Sequence, residues 1–109
     1  MRSATIDRTT NETNINLTLD LDGVGKGIIK TNVPFFDHMV DQLTFHSQID
    51  LELRSQGDVE IDYHHTVEDC GICLGKAFSE AMGDKKGIKR YGFFLLPMDD
   101  ALIRVALDF

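Results

Sequence analysis

Residues 12–21 read ETNINLTLDL, and residues 100–109 read DALIRVALDF, at an offset of 88. In the first stretch Ile15, Leu17, Leu19 and Leu21 alternate with polar residues, the period-two pattern of a strand with one wet face. Laid over it, the second stretch repeats the pattern: Ile15 matches Ile103, Leu19 matches Leu107 and Asp20 matches Asp108. Glu12 falls over Asp100, Leu17 over Val105 and Leu21 over Phe109. Such self-similarity implies a chain that begins a second copy of its own unit. Because the alternation runs to the last residue, the chain is expected to stop inside that copy. Residues 1–92 are read as a first α+β half-domain carrying His/Glu metal motifs, and residues 93–109 as the opening strands of a second, truncated repeat.

Working outward, the opening twenty residues are strand-like, and Asp22-Gly23 is a hairpin turn signal that makes residues 25–30 the expected return strand. Then the period changes. Asn32 is the expected N-cap of a helix with Pro34 in its first turn and Phe35, Phe36, Met39, Val40 and Leu43 on one side. A short strand follows at residues 49–53. A second helix is expected from Tyr63 to Met82, with Gly83 as its stop. Strands at 93–98 and 101–109 close the chain. The fold class is α+β, a mixed or antiparallel sheet with two helices packed on one face, the first of two similar halves.

At 109 residues, 42% hydrophobic and 27% charged, the composition suits one globular domain or part of a larger one. The net charge of −7 argues against a nucleic-acid partner, which calls for the opposite balance. No apolar run approaches the 18 or so residues of a membrane span, and no signal-like start precedes the fold, so no membrane role and a cytoplasmic location are expected. Cys70 and Cys73 form CGIC, a spacing shared with thioredoxin-like redox pairs. Here it falls inside a helical pattern, where cysteine acts as a small buried hydrophobe.

The chemistry concentrates in IDYHHTVED, residues 61–69. At about 100° per residue, Val67, Cys70, Cys73, Leu74, Ala77, Phe78 and Ala81 share the core face of the second helix. His64 and Glu68, four apart, stand on one line outside it, while His65 points about 100° further round. The two imidazoles therefore suit two different cations, with His64 and Glu68 sharing one, and these donors suit a first-row divalent ion. The bland alternative is a solvated helix start whose acids favour the N-terminal dipole. Gly71 and Gly75 lie near the His64–Glu68 line and imply the close approach of another backbone, since each costs about 1 kcal/mol inside a helix. His38 and His46 sit in the first helix, so all four histidines fall in helices that also carry acids. These residues are too few to close two octahedral sites, and the remaining ligands must come from further sequence, a second subunit or water. Lys85, Lys86, Lys89 and Arg90 could focus an anion such as a phosphate, or could simply solvate a helix exit.

Taken together, TNETNINLTLDLDGVGKG, VPFFDHMVDQLTFHSQIDL, GDVEIDYHHTVEDCGICLGKAFSEAMGDKKGIKRYG and PMDDALIRVALDF resemble the imidazoleglycerol-phosphate dehydratase family over essentially the whole chain. The resemblance implies two similar halves, two Mn²⁺ per active site, and a homo-oligomer of 24 subunits with sites at subunit interfaces. It implies metal ligation by His38, His64, His65 and Glu68. It implies contact with a small phosphate substrate at Glu12, His38, His46, His64, His65, Glu68 and Arg90, with catalytic roles at Glu12, His65 and Glu68. The implied reaction removes water from imidazole glycerol phosphate to give imidazole acetol phosphate in histidine biosynthesis. Glu12 would be the base and Arg90 the phosphate clamp. With the second half absent, the 109 residues alone are expected to be inactive. Two other readings stay open: a metal-dependent hydrolase, and a non-catalytic α+β binding module.

Overall fold

A computed structural model describes residues 1–109. The chain runs β1 (Ser3–Thr9), β2 (Thr13–Asp20), β3 (Gly27–Lys30), α1 (Pro34–Ser47), β4 (Asp50–Gly57), α2 (His64–Met82), β5 (Tyr91–Met98) and β6 (Ala101–Asp108). The first four strands form one sheet in the order β1-β2-β4-β3, and β5 and β6 form a separate two-stranded sheet. The α+β class and the mixed sheet are as expected.

The alternation in residues 13–20 builds the core. Ile15, Leu17 and Leu19 are fully buried, and the intervening residues face solvent. They meet Leu51 and Leu53 of β4, Ile6 of β1, Val40 of α1 and Cys70, Cys73, Ala77 and Ala81 of α2 in one cluster. Both helices therefore lie on the same face of the sheet. α2 covers β1, β2 and β4, and α1 covers β3.

Three local expectations are corrected. The opening stretch is two strands, folded into a hairpin by residues 10–12 and paired antiparallel from Ser3↔Asp20 to Thr9↔Asn14. Residues 27–30 do not return along β2, whose two edges are already taken by β1 and β4. They pair parallel with β4 at the far edge, and α1 supplies the crossover that a parallel pair requires. The Asp50 carboxylate steers the chain there by accepting the backbone N–H groups of Val24 (2.9 Å) and Lys26 (2.8 Å). A Cβ on Gly23 would collide with Asp50, so the turn wraps tightly around that side chain. Asn32 is not the cap of α1: its φ is +65°, and Val33 is the N-cap, with Pro34 at the first helical position.

The helix faces also shift from their expected positions. On α1 only Val40 and Thr44 are buried, while Phe35 (72%), Met39 and Leu43 are exposed, because the helix rests on the four-residue edge strand alone. On α2 the buried arc takes in Thr66 and Asp69, and Val67 sits at its margin. Nothing lies within 4 Å of a Cβ built at Gly71 or Gly75, so the close backbone approach expected there does not occur within this chain.

The second hairpin repeats the register of the first. Shifting the β1–β2 ladder by 88 turns Ser3↔Asp20 into Tyr91↔Asp108 and Ile6↔Leu17 into Phe94↔Val105, and both pairs are present. The closing hydrogen bond repeats too: Leu21 N–H donates to the Arg2 carbonyl (2.9 Å), and Phe109 N–H to the Arg90 carbonyl (3.1 Å). Every residue of β5 and β6 is nevertheless exposed. The two hairpins should therefore respond differently to truncation. In urea unfolding of the chain, Leu17→Ala is expected to cost on the order of 3 kcal/mol. Leu95→Ala, on β5, should stay within about 0.5 kcal/mol of the parent.

Candidate active site

Three segments converge at the N-terminal end of α2: the turn at residues 10–12, the exit of β4 and the first helical turn. The β2–β4 ladder sets Thr13 opposite Gly57, which brings the turn beside the strand exit. Gly57 must be glycine, because a Cβ there would strike Thr66 Oγ1 of α2. Asp58 N–H donates to the Glu12 carbonyl (3.1 Å), and Glu12 N–H donates to Thr10 Oγ1 (3.2 Å). Thr13 Oγ1 donates to Asp69 Oδ2 (2.5 Å), and Arg8 Nε reaches Asp69 Oδ1 (3.3 Å), so a carboxylate at the sheet–helix seam pins the turn to α2.

On this junction the two histidines are held in the same way. His64 Nδ1 lies 2.6 Å from Asp62 Oδ1, and His65 Nδ1 lies 2.7 Å from Asp58 Oδ2. Their rings are 4.0 Å apart between centroids and tilted by 44°. No hydrogen bond within the chain engages the opposite nitrogen, Nε2, of either ring. Asp62 also takes the His64 backbone N–H (2.8 Å), one of the free donors of the first helical turn, so this acid caps α2. The hydrogen bond from His65 to the Asp58 carboxylate raises the His65 pKa against the opposing effect of desolvation, with the charges of Asp58, Glu12 and Asp62 acting in the same direction as the bond. The hydrogen bonds from the His64 backbone and then its ring lower that of Asp62. Glu68, one turn beyond His64, is exposed and makes no hydrogen bond or ion pair in the chain.

The other candidate residues make no hydrogen bond or ion pair with this cluster. His38 and His46 are exposed on α1, each beside a phenylalanine of its own helix (Phe35 and Phe45). Arg90 is at the opposite end of α2: Phe109, whose N–H its carbonyl binds, stacks on Phe78 near the helix C-terminus. A 19-residue helix is about 28 Å long. The Arg90 guanidinium is engaged by Asp108 (2.6 Å) and lies over the Tyr91 ring, and Lys86 pairs with Asp84 (3.1 Å). No three His, Cys, Asp or Glu side chains gather into a metal-holding group within the chain. Sequence reasoning had passed over Asp58, Asp62, Asp69 and Thr13. The one available signal was Asp62, two residues before His64, where an acid can cap the helix.

The donor set does fit a divalent ion. Imidazoles whose Nδ1 is tied to a carboxylate present Nε2 outward as the ligand atom, the usual support of a metal-bound histidine. Fold and site together define an α+β protein with a histidine–carboxylate half-site exposed at a helix start. The family model of imidazoleglycerol-phosphate dehydratase matches residues 31–109. Curated relatives named imidazoleglycerol-phosphate dehydratase are 62% identical over 99% of the chain in Cereibacter sphaeroides and 59% identical over 100% of it in Azoarcus sp.. These matches take in 55% and 56% of the relatives, so the chain spans about half their length. The crystal structure of the Staphylococcus aureus enzyme superposes with a TM-score of 0.83 at 37% identity, covering 97% of this chain and 57% of that one. That of the Pyrococcus furiosus enzyme in complex with (S)-C348 gives 0.78, also at 37% identity, over 94% and 53%. The chain belongs to the imidazoleglycerol-phosphate dehydratase family.

CGIC has no part in this site. Both cysteines are buried and unpaired, and burial pushes the Cys70 thiol up to about 11 and raises Cys73 as well. Alkylation by iodoacetamide at pH 8 should leave the native chain unmodified and label both residues in urea. Rapid labelling of the native chain would restore a redox role.

Proposed function

We propose that this chain provides one half of a manganese-dependent site that dehydrates imidazole glycerol phosphate to imidazole acetol phosphate, in the cytoplasm, as part of histidine biosynthesis. The observation that carries this reading is the pair of adjacent imidazoles, each with Nδ1 held by a carboxylate and Nε2 without a hydrogen bond in the chain, in a chain of this family. His64 and Glu68 would hold one Mn²⁺, and His65 with His38 the other. Since no three such side chains gather into one group within the chain, copies of the protein would complete each site between them, in a homo-oligomer of 24 subunits. Bound there, the ion would act as a Lewis acid toward the imidazole ring of the substrate.

The remaining roles belong to the chain. Glu12 sits on a turn hydrogen-bonded at both its N–H and its carbonyl, which leaves its carboxylate exposed and near enough to His65 to affect its charge. Such a group can take the carbon-bound proton as general base. His64, His65, Glu68 and His46 would line the bound substrate. Arg90, about a helix length away in its own chain, would meet the phosphate of a substrate seated in a neighbouring copy's site and exchange Asp108 for it. Holding the phosphate fixes the reacting carbons against the base. The shared register of the two hairpins supports reading β5–β6 as the opening of a second unit, and the 109 residues alone would be an incomplete, inactive site.

The test is made on a family-length protein carrying this sequence. Glu12→Gln should retain manganese and bind substrate while kcat falls by about 10²–10⁴-fold. Turnover at the parent rate would remove Glu12 from the chemistry. Glu68→Ala should lose manganese by elemental analysis and assemble poorly; full occupancy would contradict its place among the ligands. Activity on imidazole glycerol phosphate against a panel of phosphate esters separates a dehydratase from a hydrolase.

A further inference from the structure

We propose that Asp58 is a positioning residue that fixes the orientation and tautomer of His65 and locks it to the turn bearing Glu12. This deepens the reading of the site given above and rests on it. Asp58 is the first residue after β4, and its side chain is only 13% exposed. Its backbone N–H holds the Glu12 carbonyl at 3.1 Å, its carbonyl accepts from Ile61 N–H at 2.9 Å, and its Oδ2 meets His65 Nδ1 at 2.7 Å. One residue thus touches both the candidate base and a candidate ligand from the rigid end of a central strand. Its other oxygen, Oδ1, is buried without a hydrogen-bond partner, so His65 is the only side chain its carboxylate serves. Gly57 fixes the approach, because with any Cβ there the strand could not come this close to Thr66.

The consequence follows from the chemistry of the ring. An ionised carboxylate has only lone pairs to offer, so the nitrogen facing it must carry the proton. A neutral His65 is then protonated on Nδ1 and keeps its lone pair on Nε2, which no hydrogen bond within the chain engages. Metal ligation through Nε2 needs that tautomer, and a partner of this kind typically contributes 10–100-fold in metal affinity. Asp62 does the same for His64, but that pair is about 60% exposed, and Asp62 has no tie to Glu12. Asp58 alone joins the two halves of the chemistry.

The experiment uses this chain, metal-free, with ¹⁵N-labelled histidine, at a pH where the same spectra show His65 fully deprotonated to the neutral ring. His65 is assigned by its loss in His65→Gln. The parent should show His65 protonated at Nδ1. Asp58→Ala should move it to the Nε2-protonated form, and Asp58→Asn, whose amide carbonyl still accepts, should restore the parent pattern. Titration of Mn²⁺ into the family-length protein should show binding weakened 10–100-fold in Asp58→Ala and largely recovered in Asp58→Asn. A parent His65 protonated at Nε2, or an Asp58→Ala spectrum unchanged from the parent, overturns the proposal. Should Asp58→Ala fail to fold, the parent and Asp58→Asn spectra decide it by themselves. A parent with the Nδ1-protonated ring but no affinity for Mn²⁺ would instead leave Asp58 as assigned and sink the metal reading.

Discussion

The antiparallel pairing of β2 with β4, from Thr13↔Gly57 to Asp20↔Asp50, is the constraint on which the other parts rest. It sets Leu17 against Leu53 and Leu19 against Leu51, which fixes the face that both helices must cover. At one end it delivers Asp50 to the turn that carries β3 across to the far edge. At the other it sets Gly57 and Asp58 beside Thr13 and Glu12, where α2 begins. A slip of one residue would turn the leucines to solvent and separate Asp58 from both Glu12 and His65. Core and site are thus two ends of a single register.

What could be read in the sequence followed from period and chemistry. The alternation of residues 15–21 located the buried face, and the span of α2, with its stop at Gly83, was predicted to within a residue. His64, His65 and Glu68 stood out as possible cation donors, which spacing alone does not separate from a solvated helix start. What could not be read depended on partners distant in the chain. The hairpin signal at Asp22-Gly23 marked a true turn, but its direction is set by a carboxylate 28 positions later. Thr66 and Asp69 lie outside the core face that the helical spacing predicts. They are buried because Gly57 admits one and Arg8 with Thr13 satisfies the other. The α1 pattern predicted a core face that this chain only half covers, since a narrow edge strand cannot span it.

On the proposed reading, that uncovered surface and the separated site residues would share one explanation. Phe35, Met39, Tyr63 and Val67 line an apolar groove between the starts of the two helices, close to the histidines. Patches of this kind, beside polar ligand groups, mark association surfaces. The stripe at Gly71 and Gly75 points the same way, because glycines that cost helix stability and meet nothing within the chain leave room for something outside it. In the site proposed above, the basic residues and the imidazoles lie at opposite ends of a long helix, and setting the end of one helix beside the start of another would bring them together.

The second hairpin takes this reasoning a step further. A two-stranded sheet in water is marginal, and here it is tethered chiefly by Phe109 on Phe78 and by the Arg90–Asp108 pair. The register shift of 88 places Phe94, Ile103, Val105 and Leu107 where Ile6, Ile15, Leu17 and Leu19 stand in the first unit. Those four are buried only because β4 pairs with β2 and α2 lies over the sheet. Their counterparts have neither a strand on the free edge of β6 nor a helix above them in this chain. The same arithmetic sets Arg90 where Arg2 stands. Arg2 holds Asp22, beyond the end of β2, whereas Arg90 holds Asp108, inside β6. Position, carbonyl hydrogen bond and strand register therefore repeat between the two hairpins, and each arginine is engaged by an aspartate close to its own hairpin.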